Sequence, residues 1–207
     1  MEYRAVGNRC AVNLDSLLLP VSRNEAICVL GKKGFRIVQV DIVLLARQCV
    51  GASRYRRGAR LFEAPAVVDC SSFVKWLYAQ RGIWLPRRSV QQRELGEEVA
   101  LAEIVPGDLV FASGRIDYYR DNPQDGVGHV GIATGDKTVI HAANSREHVI
   151  ENPLAAFAEE KKFRGVRRYI ANGADVLTLE TPAGREVEVA DDIRWIILQT
   201  LSKPKNP

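Results

Sequence analysis

The 207-residue sequence has only three histidines and four cysteines, and no stretch long or apolar enough to span a membrane. The cysteines stand at 10, 28, 49 and 70. They form no C-x-x-C pair and none has a histidine close in sequence, so zinc is not suggested. Two disulfides are numerically possible, but a chain of this size does not need them. No run of lysine and arginine with interleaved aromatics makes a nucleic-acid patch, and the densest basic stretch, Arg54–Arg60, is short. The first residues lack a basic segment followed by an apolar run, so no signal peptide is read there; by that feature alone the expectation is cytoplasmic. There is no internal repeat and no low-complexity segment. What is present is a globular composition, 46% hydrophobic and 26% charged with a net charge of +4, enough for one sizeable core with decorated ends.

The stretch Val67–Gln80 organises the rest. Asp69 reads as a helix N-cap, and Phe73, Val74 and Leu77 follow Cys70 at i+3, i+4 and i+7 on one apolar face, with Gly82 as a stop. Cys70 then lies in the first turn, where the helix dipole favours the thiolate, the reactive form of cysteine. The competing reading is a small buried thiol in an amphipathic helix. Cys49 shares a stripe with Ile42, Leu45 and Ala46 and reads as core.

Along the chain, residues 1–40 read as strand-rich, with Ala26–Leu30 and Phe35–Val40 as a hairpin about the Gly31–Gly34 turn. Residues 41–50 read as a helix capped by Asp41. Ser89–Glu98 reads as a short polar helix, and Pro106-Gly107-Asp108 turns into a strand at Leu109–Ala112. A long polar loop, Ser113–Gly128, holds Tyr118 and Tyr119; loops of this length often line a site. Residues 154–162 read as a polar helix and Arg164–Ile170 as a strand. The chain restarts after Asn172-Gly173 with a hairpin of Val176–Glu180 and Glu186–Val189. A helix follows with Ile193, Ile196 and Ile197 inward, and then a loose tail, Ser202–Pro207.

The hairpin His129–Thr134 and Thr138–Ala143 poses a chemical question. A three-residue loop pairs Thr134 with Thr138 and Gly131 with His141, which puts His129 and His141 on one face as diagonal neighbours; a two-residue turn would separate them. Cys70, His129 and His141 are the residue types that acyl transfer by a nucleophilic thiol requires: a thiol, a base, and a group to orient the base. His148 lies in a polar run and reads as surface.

Five blocks now stand in order: D-C-S-S-F-V; G-I-W-L-P-R-R-S-V-Q-Q-R-E-L-G; P-G-D-L-V-F; G-H-V-G-I-A-T-G; and V-I-H-A-A. Together, over about residues 40–170, they resemble the NlpC family of papain-like cell-wall cysteine peptidases. The resemblance implies an α+β, papain-like fold, with a nucleophile helix packed on a central antiparallel sheet. It implies Cys70 as nucleophile, His129 as base and His141 as the orienting group. Tyr55 matches a tyrosine lining the site. Asp69 and Ser71 match residues that hold the amine of stem peptides in one subset of the family. Ser89 and Gln92 match an S-x-x-Q segment counted with substrate binding.

The activity implied is hydrolysis of an amide bond in a peptidoglycan stem peptide, between D-γ-glutamate and a diamino acid, through a thioester and with no metal or organic cofactor. The partner implied is the stem peptide or muropeptide, which argues for the cell envelope. A thiol acyltransferase or amidase, and a non-catalytic wall-binding module, are the alternatives. Three features depart from the family pattern: Ser72 in place of glycine, a longer span from Tyr55 to Cys70, and the long 113–128 loop. The expected organisation is an N-terminal flanking segment (1–39), the peptidase domain (40–172) and a C-terminal hairpin plus helix (173–207).

Overall fold

The computed structural model describes residues 3–171 and 175–202; the Asn172-Gly173 restart and most of the 202–207 tail lie outside the described residues. In chain order the elements are β1 (Arg9–Asn13), α1 (Arg23–Lys32), β2 (Arg36–Val38), α2 (Ile42–Cys49), β3 (Arg54–Tyr55), β4 (Val67–Val68) and α3 (Cys70–Gln80). There follow α4 (Ser89–Arg93), β5 (Glu97–Val99), β6 (Leu109–Ala112), β7 (His129–Ala133), β8 (Thr138–Asn144), β9 (His148–Pro153), α5 (Leu154–Phe157), β10 (Phe163–Arg168), β11 (Val176–Glu180) and α6 (Ala190–Leu201). Among the described residues no helix is long and apolar enough to cross a membrane.

The chain divides into two compact units. One takes Met1–Val40, Tyr78–Trp84 and Ile170–Pro207; the other takes Asp41–Leu77 and Leu85–Tyr169. In the first, β11 lies between β1 and β2 in an antiparallel sheet. Cys10, Val12, Leu30, Phe35, Leu179, Ile193 and Ile197 form its core. Gly82 has φ 74°, and a Cβ there would sit 2.6 Å from the backbone nitrogen of Cys10, so the strand passes where no side chain fits.

Two sequence expectations fail in this unit. Residues 26–30 are helical, not a strand: Ser22 and Glu25 form a reciprocal capping box that starts α1, and Ala26 and Leu30, four apart, are its buried face. Residues 186–189 form no strand of a hairpin; Val189 makes only an isolated bridge to Arg4. The partners of β11 come instead from the far end of the sequence, a pairing that local pattern does not reveal.

The second unit is built on a six-stranded antiparallel sheet, ordered β5-β10-β6-β7-β8-β9, with a short parallel pair β3–β4 beside it. Helix α2 starts on Asp41, whose Oδ1 accepts from the Val43 and Leu44 amides, and it buries Ile42, Ala46 and Cys49. The expected polar helix at 154–162 is only the single turn of α5. Phe157 gains burial in the cluster of Val110, Ala112, Val139 and Val166, whereas the polar residues that follow have no apolar face to bury. Asp108, at the turn into β6, is almost fully buried and pairs with both Nε and Nη2 of Arg168, at 2.9 and 2.7 Å. The β7–β8 register is Ile132 with Ile140 and Ala133 with Val139, the three-residue-loop register, so His129 and His141 share a face.

Candidate active site

Helix α3 starts at Cys70 because Asp69 and Ser72 cap each other. Asp69 Oδ1 accepts from the Ser72 amide and Ser72 Oγ accepts from the Asp69 amide, both at 2.8 Å. Ser72, fully buried, therefore has a definite task at a position where the resemblance anticipates glycine. The cap leaves Cys70, a half-buried residue, in the first turn. Sγ faces the Gly128 carbonyl at 3.9 Å. Burial pushes this thiol up to about 11 and the Asp69 charge adds to the rise, while the backbone amides of Ser71 and Val130 and the Arg87 guanidinium act against it. The sulfur thus lies between the backbone of residues 128 and 130, on either side of His129.

His129 and His141 meet directly: Nε2 of the first is 2.7 Å from Nδ1 of the second, with the rings at 86° to each other. Gly131, opposite His141, permits this; a Cβ there would lie 3.0 Å from the His141 Cβ. Phe157 stacks on His129, with centroids 5.6 Å apart, and meets His141 edge-on at 4.9 Å. Burial, and for His129 also its neighbour His141, pushes both imidazoles below their ordinary range. Nε2 of His141 is buried with no hydrogen-bond partner among the described residues. A base that takes a proton at Nδ1 must carry its own proton on Nε2, and His141 Nδ1 is an acceptor at hydrogen-bond distance for it.

The remaining residues named from the sequence form a frame around this centre. Tyr55 is half-buried; its phenol is pushed up by burial and then by the charges of Cys70 and Asp69. Its amide donates to Nδ1 of His148 at 3.2 Å. His148, expected on the surface, is in fact half-buried beneath β3, in a left-handed conformation with φ 63°.

Asp69 accepts from five donors: Ser71 Oγ, Ser72 N and Arg87 Nη1 on one oxygen, and Gly58 N and Arg87 Nη2 on the other. A carboxylate offers about four lone-pair sites, so this one is filled by the protein itself. Ser71 Oγ also accepts from Arg87, at 2.9 Å. Arg87 stands in the P-R-R-S segment, where nothing local signals that its partner lies eighteen residues upstream. Ser89 Oγ faces the Val127 carbonyl at 3.5 Å, and the buried Gln92 donates from Nε2 to the carbonyls of Ser71 and Pro86. Ser89 thus meets the segment that leads into β7, and Gln92 ties α3 to the Pro86 carbonyl.

All four cysteines are free thiols, and burial raises Cys10 to about 12 and raises Cys49 as well. Among the described residues no group of three or more His, Cys, Asp or Glu side chains is arranged to hold a metal.

A helix-borne thiol beside an imidazole pair on an antiparallel sheet is an arrangement suited to acyl transfer through a thioester. The NlpC/P60 family model matches residues 52–168, more than half of the chain, and the chain belongs to that family, with its α+β papain-like fold. A probable endopeptidase of Corynebacterium glutamicum is 39% identical over 114 residues, 55% of this chain and 47% of that protein. A γ-D-glutamyl-L-lysine dipeptidyl-peptidase of Bacillus cereus is 31% identical over 102 residues, 49% of this chain and 29% of that protein. The crystal structure of an NlpC/P60 family protein from Bacillus cereus superposes with a TM-score of 0.50 at 26% identity, covering 63% of this chain and 40% of the other. The chain thus spans less than half the length of either curated relative.

Proposed function

We propose that this protein is a cysteine endopeptidase that hydrolyses an amide bond of peptidoglycan stem peptides, between D-γ-glutamate and a diamino acid. The observation that carries the reading is the 2.7 Å approach of the two imidazoles, on the neighbouring strands β7 and β8, with the Cys70 sulfur against the Gly128 carbonyl that immediately precedes β7. The name of the γ-D-glutamyl-L-lysine relative supports the choice of bond.

In this reading the Cys70 thiol passes its proton to Nδ1 of His129, and the thiolate attacks the γ-carbonyl carbon. His141 accepts from Nε2–H of His129 throughout and keeps the ring oriented. Ser72 N–H is taken by Asp69, which leaves the amide of Cys70 at the helix start to meet the developing oxyanion; one such donor is worth roughly 3 kcal/mol. Collapse breaks the C–N bond, and the leaving amine takes the proton from His129. A water then gives a proton to His129 and its oxygen to the thioester, releasing the γ-carboxylic acid and restoring the thiol. Tyr55 lines the acyl site. Asp69, Ser71, Ser89 and Gln92 hold the frame.

Digestion of purified muropeptides followed by mass spectrometry tests this. The expected products are a fragment ending in γ-glutamate and a fragment beginning with the diamino acid, absent with Cys70→Ala and His129→Ala. Products cut elsewhere would overturn the bond assignment. Products carrying an added amine would favour acyl transfer over hydrolysis, and sacculus binding without cleavage would favour a binding module.

A further inference from the structure

We propose that Arg57, at the hydroxyl of Tyr118, and Arg88, over its ring, form an anion subsite beside the Cys70 sulfur that reads a substrate carboxylate adjacent to the scissile amide. Arg57 Nη2 donates to the Tyr118 hydroxyl at 3.4 Å, and the Arg88 guanidinium lies over the same ring, 5.1 Å from its centroid. Two like charges thus converge on one aromatic side chain. Among the described residues neither meets a carboxylate, whereas Glu63 pairs with Arg56, Glu94 with Arg120 and Asp69 with Arg87, and Asp117 accepts from Ser113 and the Gly114 amide. The ring under Arg88 and the hydroxyl beside Arg57 each attract a cation but neutralise neither, so an arriving anion relieves their repulsion.

The backbone fixes how near this pair lies to the chemistry. Tyr118 and Val127 exchange two hydrogen bonds, at 3.2 and 2.9 Å. The next residue, Gly128, presents its carbonyl to Cys70 Sγ. Ser89, adjacent to Arg88, bonds the Val127 carbonyl. Arg57 lies two residues beyond Tyr55, and its charge partly opposes the rise that burial, Cys70 and Asp69 impose on the Tyr55 phenol. The long 113–128 loop thereby gains a purpose: it brings an aromatic platform to the thiol's rim, and the platform gathers two arginines from separate segments.

The ligand class is a peptide carboxylate. Two groups on a stem peptide present one close to the γ-amide: the α-carboxyl of the γ-linked glutamate and the carboxyl of the diamino acid. This part rests on the endopeptidase reading, whereas the cationic character of the rim does not.

Two measurements separate them. The first is the ratio of alkylation rates at Cys70 by iodoacetate and by iodoacetamide, in a Cys28→Ser background that removes the exposed thiol. The Arg57→Gln/Arg88→Gln double variant is expected to lower that ratio about threefold or more at low salt, with the difference closing at about 1 M salt. An unchanged ratio would overturn the subsite whether or not the protein cleaves peptides. The second compares stem peptides with each carboxyl free or amidated. The double variant is expected to raise KM about tenfold for the peptide whose carboxylate is read and to leave its amidated counterpart unchanged. Equal effects on all peptides would overturn carboxylate recognition. No cleavage of any peptide by the unmodified protein, with the alkylation ratio still falling, would remove the endopeptidase reading and keep the anion subsite.

Discussion

Nε2 of His129 and Nδ1 of His141 lie 2.7 Å apart, a distance at which one proton is shared between two neutral rings. Only one placement leaves Nδ1 of His129 bare, and His141 secures it by accepting. Replacing His141 with alanine is expected to lower kcat about 10²- to 10³-fold with little change in KM, since general-base catalysis of this kind contributes about 10²–10⁴. His141→Gln, whose side-chain oxygen can accept the same hydrogen bond, should recover part of the loss. Equal damage from both variants would show that packing against Phe157, and not the hydrogen bond, is what His141 supplies.

The saturation of Asp69 makes a prediction about substrate ends. A carboxylate already holding five donors has no oxygen left for a substrate ammonium. Stem peptides with an acylated amino terminus should be cleaved with a kcat/KM within about threefold of free-amine peptides, a difference under 1 kcal/mol. A preference of tenfold or more for the free amine would show that Arg87 yields Asp69 to the substrate.

Ser72 shows why a departure from a family pattern is not always a change of function. Its hydroxyl accepts from the Asp69 amide and its own amide donates to the Asp69 carboxylate. Ser72→Ala should lower stability by about 1–3 kcal/mol, because a buried amide loses its acceptor. Thermal unfolding measures this, and a change under about 0.5 kcal/mol, the level of ordinary surface substitutions, would remove the cap from the account.

Acid should loosen this protein through its histidine pair. Burial holds both imidazoles neutral in the folded chain. The unfolded chain takes up protons there below about pH 6.5, so unfolding gains as pH falls, and the stability present above that value is lost below it. The melting temperature is expected to decline between about pH 6.5 and pH 5, before most carboxylates titrate. The decline should shrink in the His129→Gln/His141→Gln variant; the same slope in both proteins would assign the acid sensitivity to other groups.

Much of the site was legible because it depends on local rules. The loop length between β7 and β8 decides parity, and parity puts His129 and His141 on one face; Asp69 before an apolar 3-4-7 pattern announces α3 and with it Cys70. What escaped was non-local. Arg87 reaches Asp69 across eighteen positions, Tyr55 rests on His148 across ninety-three, and β11 finds its strand partners in the first forty residues. Helix α1 is different: Ser22 and Glu25 carry its capping signal locally, but the short apolar run behind them also fits a strand.

The central claim is that Cys70 becomes covalently acylated during turnover. Mixing the protein with excess stem peptide, quenching in acid within the first turnover and mapping the intact and digested chain by mass spectrometry addresses it directly. The account predicts added mass equal to the glutamyl-terminated acyl fragment, confined to the peptide containing Cys70 and increased in steady state when water attack is slowed. Cleavage that continues at the original rate in Cys70→Ala, or an adduct located on another residue, would contradict it.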